Sequence, residues 1–297
     1  MNGMHYDIRL TLHYDYESWA GGGRHQVRVM PQTIPGVQRV IAASLSFSPE
    51  PAERSDFSDF FGNHAASIAY REAHETLDVK MSARIAVKRP EPGLDVSPTV
   101  RALGDEIRQV LSLAPDAPHH FLASSDHAGI DPAITAYAAE SLASGSVLGV
   151  ADHLCHRLHD EFAYDNEATT VATHAADAFR LKRGVCQDFS HVLIAGLRGI
   201  GIPAGYVSGF LRTIPPEGKE RLEGADAMHA WVKVWCGREM GWQEFDPTNA
   251  MRAGNDHITV GHGRDYSDVA PIVGRLKMTG GQVGEQSVDV VPVGCWE

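Results

Sequence analysis

Two different periodicities divide this chain, and that division constrains its fold more than any single residue does. Up to about residue 90 the polarity alternates, as in YDIRLTLHYDY, HQVRVMP, QRVIAASLSFSP and TLDVKMSARIAV, with glycine and proline clusters between these runs. Gly62-Asn63 falls between two further strand-like pieces and predicts a turn. The stretch KRPEPGLDVSP (88–98) then carries three prolines and reads as a linker. Beyond it, DPAITAYAAESLA, SVLGVADHLCHRLHDEFAY and THAADAFRLKR space their apolar residues three and four apart, as helices do. Strands return in AGYVSGFL, HAWVKVW, MGWQEFD and SVDVVPV. Helices followed by strands, without strict alternation, predict an α+β chain. Residues 1–95 are expected to form an antiparallel, sandwich-like β-domain, and residues 96–297 a second unit that carries the chemistry.

At 297 residues the chain has room for both units. Its 38 acidic against 26 basic residues, a formal charge of −12, argue against binding to nucleic acid, which depends on Lys and Arg neutralising phosphates. The N-terminus lacks a basic segment followed by an apolar run, and no apolar stretch approaches the ~18 residues that a membrane-spanning helix needs. The expectation is a cytoplasmic protein without membrane contact. The four cysteines, Cys155, Cys186, Cys236 and Cys295, show neither paired spacing nor a CxxC, so neither a disulfide framework nor a structural zinc site is expected from them.

One cysteine stands apart. After Cys186, apolar residues fall at Phe189, Val192, Leu193, Leu197 and Ile200, a single buried stripe of a helix that begins near the cysteine. The positive end of the helix dipole and the free N–H groups there favour a thiolate and can hold an oxyanion. A buried structural cysteine is the simpler reading until a base is found. His229 opens the alternating strand HAWVKVW, and thirteen residues later the next strand begins, ending in Asp246-Pro247. Neighbouring antiparallel strands can bring the two together, giving a nucleophile on a helix tip, a base on one strand and an orienting carboxylate on the next. Alone, His229 is an ordinary strand histidine and Asp246 a turn-capping residue. In combination they point to nucleophilic catalysis on amide bonds.

The segments GVCQDFSHVLIAGLRGIGIPAGYVSGFL, AMHAWVKVW and GWQEFDPTN resemble the core motifs of the bacterial transglutaminase-like superfamily. DFFGNHAASI and HETLDVKMSARI resemble its N-terminal β-domain, and HITVGHGRDYSDVAPIVG its region after the aspartate. The resemblance implies a papain-like core, with Cys186, His229 and Asp246 as the triad, and Gln187, Asp188, Trp231, Asn249 and Tyr266 as residues around it or at the substrate. It also implies a cysteine peptidase, an amidase or an acyltransferase that needs no cofactor and acts on a protein, a peptide or a small amide. One departure is visible: Ala204-Gly205-Tyr206 stands where the family usually has Ala-Arg-Tyr. No dense carboxylate loop suggests calcium.

Competing readings remain open at this point. His153, Cys155, His156 and His159 crowd one helix, and two of them four residues apart can present zinc ligands on one face. Arg264 and Asp265 could pair beside the cleft or simply pin a loop. A catalytically silent binding module on the same fold is a third reading. The oligomeric state cannot be read from the sequence.

Overall fold

A computed structural model describes residues 3–213 and 226–296. The N-terminal unit is built on β1 (Gly3–Val27), a single 25-residue strand that pairs along both edges. The sequence reads it as two strands with a Gly-rich loop between; instead the chain continues through Gly21-Gly22-Gly23 on a bulge, where small residues let the strand bend. Strands β2 (Gln38–Ser48), β3 (Glu53–Ser58), β4 (His64–Ala69) and β5 (His74–Val87) complete the order β2-β5-β1-β4-β3. Gly62 takes φ +83° in the predicted β3–β4 turn, which the Asp59 carboxylate closes by accepting N–H bonds from Phe61 and Asn63.

The second unit follows the linker. Its elements are α1 (Val100–Arg108), α2 (Pro132–Ala139), α3 (Val147–Glu161), β6 (Ala163–Tyr164), α4 (Ala175–Leu181), β7 (Arg183–Gly184) and α5 (Cys186–Gly199). They are followed by β8 (Ala204–Leu211), β9 (Ala227–Trp235), β10 (Trp242–Asp246), β11 (Met251–Arg252), β12 (His257–Gly263) and α6 (Tyr266–Val269). The core sheet runs β11-β10-β9-β8-β12 and is antiparallel. Its inner face, with Ala204, Tyr206, Ala230, Val232 and Val234, packs on α2 to α5 in one apolar core. Phe210, further along β8, joins Ile258 and Val260 of β12 in a second core shared with the N-terminal sheet. The two units are therefore fused through side chains rather than merely linked.

The last two strands, β13 (Ile272–Lys277) and β14 (Gln282–Trp296), leave the core and pair with β1. By pairing they belong to the N-terminal sheet, although they follow the core in the chain. The outer edge of β12 is also covered. The Gln38 amide donates to Thr259 O at 2.6 Å and accepts from Thr259 N at 2.9 Å, and Asn63 makes the same paired contact with His262 at 2.8 Å each way. Two side-chain amides thus replace a neighbouring strand and satisfy an edge that would otherwise be left unpaired. Among the described residues no helix is long and apolar enough to cross a membrane.

Candidate active site

The N-terminus of α5 is tied down before any chemistry is considered. Asp188, in the first turn, accepts from Val185 N at 2.8 Å and from Thr169 Oγ1 at 2.6 Å. A Cβ on Gly184 would lie 2.4 Å from the Asp188 carboxylate, so only glycine fits there. This clamp sets the direction in which the chain enters the helix, and Cys186 is its first residue, half-buried. Among the described residues no acceptor takes the Cys186 backbone N–H, which stays available at the positive helix end. Burial raises the Asp188 carboxyl pKa, and its two hydrogen bonds oppose that rise. Gly184→Ala should push the carboxylate off Val185 and slow alkylation of Cys186 at least ~10-fold while circular dichroism stays native, given that small misplacements at a reacting centre are costly.

His229 and Asp246 meet as the strand pairing implies. Phe245 faces Val232 in the β9–β10 register, so Asp246 at the strand end lies beside the face that carries His229 and Trp231. His229 Nε2 is 2.8 Å from Asp246 Oδ2, with the two side chains 9% and 0% exposed. Asp246 uses its two oxygens differently. Oδ1 caps the turn by accepting from Thr248 N and Asn249 N at 3.0 and 3.2 Å, while Oδ2 faces His229 and accepts from Asn249 Nδ2 at 2.7 Å. Burial would push the His229 imidazole down in pKa, but its hydrogen bond to Asp246 and the negative charge of Asp246 and of Cys186 beside it lift it to about 10. Since Nε2 is engaged by Asp246, Nδ1 is the nitrogen left for the thiol. Asp246 itself is held well below the usual carboxylate range: its burial is outweighed by the donors from His229 and His257.

His257 is the residue that sequence reasoning missed. Its Nε2 lies 3.1 Å from the same Asp246 Oδ2, its ring is 1% exposed, and its Nδ1 accepts the Gly254 N–H at 3.1 Å. No local pattern signals it, because β12 pairs with β8 and not with β10. The three groups His229, Asp246 and His257 lie within ligand distance of one another. Yet both rings and the Asn249 amide converge on one carboxylate oxygen, which is a hydrogen-bonded cluster with its donors already committed. Gly209 makes the meeting possible: a Cβ there would sit 2.5 Å from the Trp231 ring, so the indole lies across β8 where no side chain stands. Trp231 stacks beside His229 at 6.1 Å and meets His257 edge-on at 5.2 Å. Its Nε1 donates to Glu244 Oε2 at 2.6 Å, and Glu244 in turn pairs with Arg89 of the linker at 2.8 Å.

The remaining sequence candidates are distributed around this centre. Gln187 donates to Val171 O at 3.0 Å and braces the segment beside the helix start. Tyr266 gives its backbone N–H to His191 and packs edge-on to Tyr206, with no hydrogen bond to Cys186, His229 or Asp246 among the described contacts. Arg264 does not pair with Asp265. It forms a bidentate bridge to Asp268 at 2.9 Å, four residues on and on the same side of a helical turn, while Asp265 caps α6 and accepts from His127 N. The histidines of α3 diverge: His153 binds Ser141 Oγ, His156 binds its own helix carbonyl at Asp152, and His159 holds Thr248 O at 2.8 Å in the turn after Asp246. Cys155, buried behind Asp246, has its thiol pKa pushed up by burial. At position 205 a Cβ would lie 2.7 Å from the Phe121 ring, and the Lys233 ammonium sits 4.2 Å over that ring. Phe121 thus fills the space that the family's arginine would enter.

Residues 6–86 match the model of the bacterial transglutaminase-like N-terminal region, and residues 135–247, which include Cys186, His229 and Asp246, match the transglutaminase-like superfamily. An uncharacterized protein of Mycobacterium tuberculosis is 37% identical over 261 residues, 86% of this chain and 82% of its own length. The chain belongs to the bacterial transglutaminase-like superfamily. A Mycobacterium leprae relative is 30% identical over 264 residues, covering 88% of this chain and 89% of its own. Among solved structures, a candidate cysteine protease from Cytophaga hutchinsonii superposes with a TM-score of 0.75 over 99% of this chain and 92% of its own, at 21% identity. That likeness establishes the fold, a transglutaminase-like core behind a β-domain.

Proposed function

We propose that this superfamily member is a thiol-dependent enzyme that cleaves peptide or carboxamide bonds through Cys186, His229 and Asp246. The observation that carries the reading is a nearly buried imidazole held at 2.8 Å by a fully buried carboxylate, with the helix-tip Cys186 beside it raising its pKa. In the reaction the thiol proton resides on His229 and the Cys186 sulfur attacks the carbonyl carbon. The carbonyl electrons move to oxygen, where the Cys186 N–H and the helix end offset the charge. As the C–N bond breaks, His229 delivers its proton to the leaving amine and a thioester remains. Water then attacks the thioester, giving its proton to His229, and the thiolate departs. We favour water because it is always present and nothing in the sequence marks a lysine-accepting site. An amine in the same position would give transglutamination instead. A silent binding module is the weaker reading, since Asp246 is buried with five donors around it and serves a scaffold poorly.

The test needs no substrate at the outset. At pH ~5.5 an ordinary thiol, with pKa ~8.5, is only about 0.1% ionised. Iodoacetamide should therefore label Cys186 roughly 100-fold or more faster than exposed Cys295, read by intact mass and peptide mapping. The rapid phase should vanish in Cys186→Ala and slow to an ordinary rate in His229→Ala. Uniform slow labelling would refute the activated pair. With a glutamine-containing peptide and a primary amine supplied together, ammonia release with a free carboxylate supports hydrolysis, and mass gained from the amine supports acyl transfer.

A further inference from the structure

We infer that His257 is a positioning residue for this triad, a second imidazole that fixes Asp246 and shares its hydrogen-bonding oxygen with His229. The inference rests on the triad reading above but goes beyond it, because it assigns a role to a residue that neither touches the thiol nor lies on the triad's own strands.

The geometry determines which way the His257 ring is protonated. The Gly254 N–H donates to Nδ1 at 3.1 Å, so Nδ1 carries no proton. The proton sits on Nε2 and is donated to Asp246 Oδ2 at 3.1 Å, and the ring is neutral. The ring cannot turn away, being 1% exposed, with Trp231 packed edge-on to it at 5.2 Å and 78°. Asp246 Oδ2 therefore always has one donor that does not take part in proton transfer. That donor does two things. It keeps the carboxylate aimed between the two rings, so that His229 is presented to Cys186 in one orientation. It also draws on the electron density that Asp246 would otherwise give entirely to His229, so His229 gives up its proton more readily to a leaving amine. The groups facing His229 are Cys186 from α5, Asp246 from β10 and His257 from β12; Cys155 on α3 lies behind Asp246, and Glu244 lies beyond Trp231.

Two measurements test this. In the wild-type protein labelled with 15N-histidine, long-range 1H–15N correlation spectra at neutral pH should show His257 as the Nε2–H tautomer; an Nδ1–H form would overturn the assignment. The second is the pH dependence of Cys186 alkylation by iodoacetate, an anionic reagent whose reaction slows when the neighbouring imidazolium loses its proton. In His257→Leu the alkaline limb should move up by roughly half to one pH unit, because Asp246 then serves His229 alone. In His257→Gln, whose amide restores a donor near Nε2, the limb should return towards the wild-type position. An unmoved limb in a folded His257→Leu protein, or equal behaviour of both variants, would overturn the role. Failure of the triad reading looks different: wild-type Cys186 would then show no fast alkylation, whatever state the spectra report for His257.

Discussion

Asp246→Asn should abolish the fast alkylation of Cys186 and lower any amide-cleaving activity about 10⁴-fold, the scale seen when a triad carboxylate becomes an amide. The loss follows from how the carboxylate is used. Oδ2 accepts from His229, His257 and Asn249, and Oδ1 accepts from two backbone N–H groups, so both oxygens face donors only. An amide has just one acceptor end. With its oxygen towards the histidines, its NH₂ meets Thr248 N and Asn249 N; turned over, it meets the rings. Either way a buried donor faces donors, and the fold should lose roughly 2–4 kcal/mol. Urea denaturation and the alkylation rate check the two effects separately. A variant that is folded, equally stable and still rapidly labelled would contradict the assignment of Asp246.

Arg89→Met should destabilise the protein by about 2–4 kcal/mol at pH 7, although Arg89 lies in the linker and far along the chain from every triad residue. Its guanidinium is 8% exposed and pairs with Glu244 Oε2 at 2.8 Å while donating to Thr259 Oγ1 at 3.2 Å. Burial pushes the Glu244 carboxyl up in pKa, and Arg89 outweighs that, so its folded value lies below normal. A depressed carboxylate contributes stability above its unfolded pKa of about 4.3 and loses it as pH falls through the lower folded value. Without Arg89 the sign reverses, because burial then favours the neutral acid. The deficit against wild type should therefore be largest near pH 7 and shrink towards pH 4, measured as the difference in urea midpoints. A deficit independent of pH would mean that packing, not charge, is what Arg89 supplies. Since Glu244 also holds Trp231 Nε1, the alkylation rate should fall alongside stability.

The parts of this site that were legible in the sequence are those built from local periodicity. Cys186 announces itself because the helix behind it shows one apolar stripe and Gly184 precedes it. His229 and Asp246 are legible because two short alternating strands thirteen residues apart are almost bound to pair. His257 is not legible, since its contact with Asp246 depends on β12 entering the sheet next to β8 and on the empty position at Gly209. The partner of Arg264 was misread as its neighbour Asp265 because adjacency in sequence is a poor guide once a helical turn intervenes. The crowded histidines of α3 look like ligands in a string of letters, but a helix surface sends 153, 156 and 159 to different partners. The strand SVDVVPV was recognisable as a strand, but its partner more than 250 residues earlier was not.

That last pairing governs the order in which the two units can be completed during synthesis. The ribosome finishes β1 early, yet β14, which covers one of its edges from Gly3 to Tyr16, emerges only after more than 250 further residues. At about 5–20 residues per second this is a wait of roughly 10–50 s with an apolar strand edge uncovered. Phe210, Ile258 and Val260, once made, also lack part of their cover until Val288 and Val290, which share their core, arrive. Cys186 is made before β14, so the layer shared by the two sheets is complete only after that residue has long been in place.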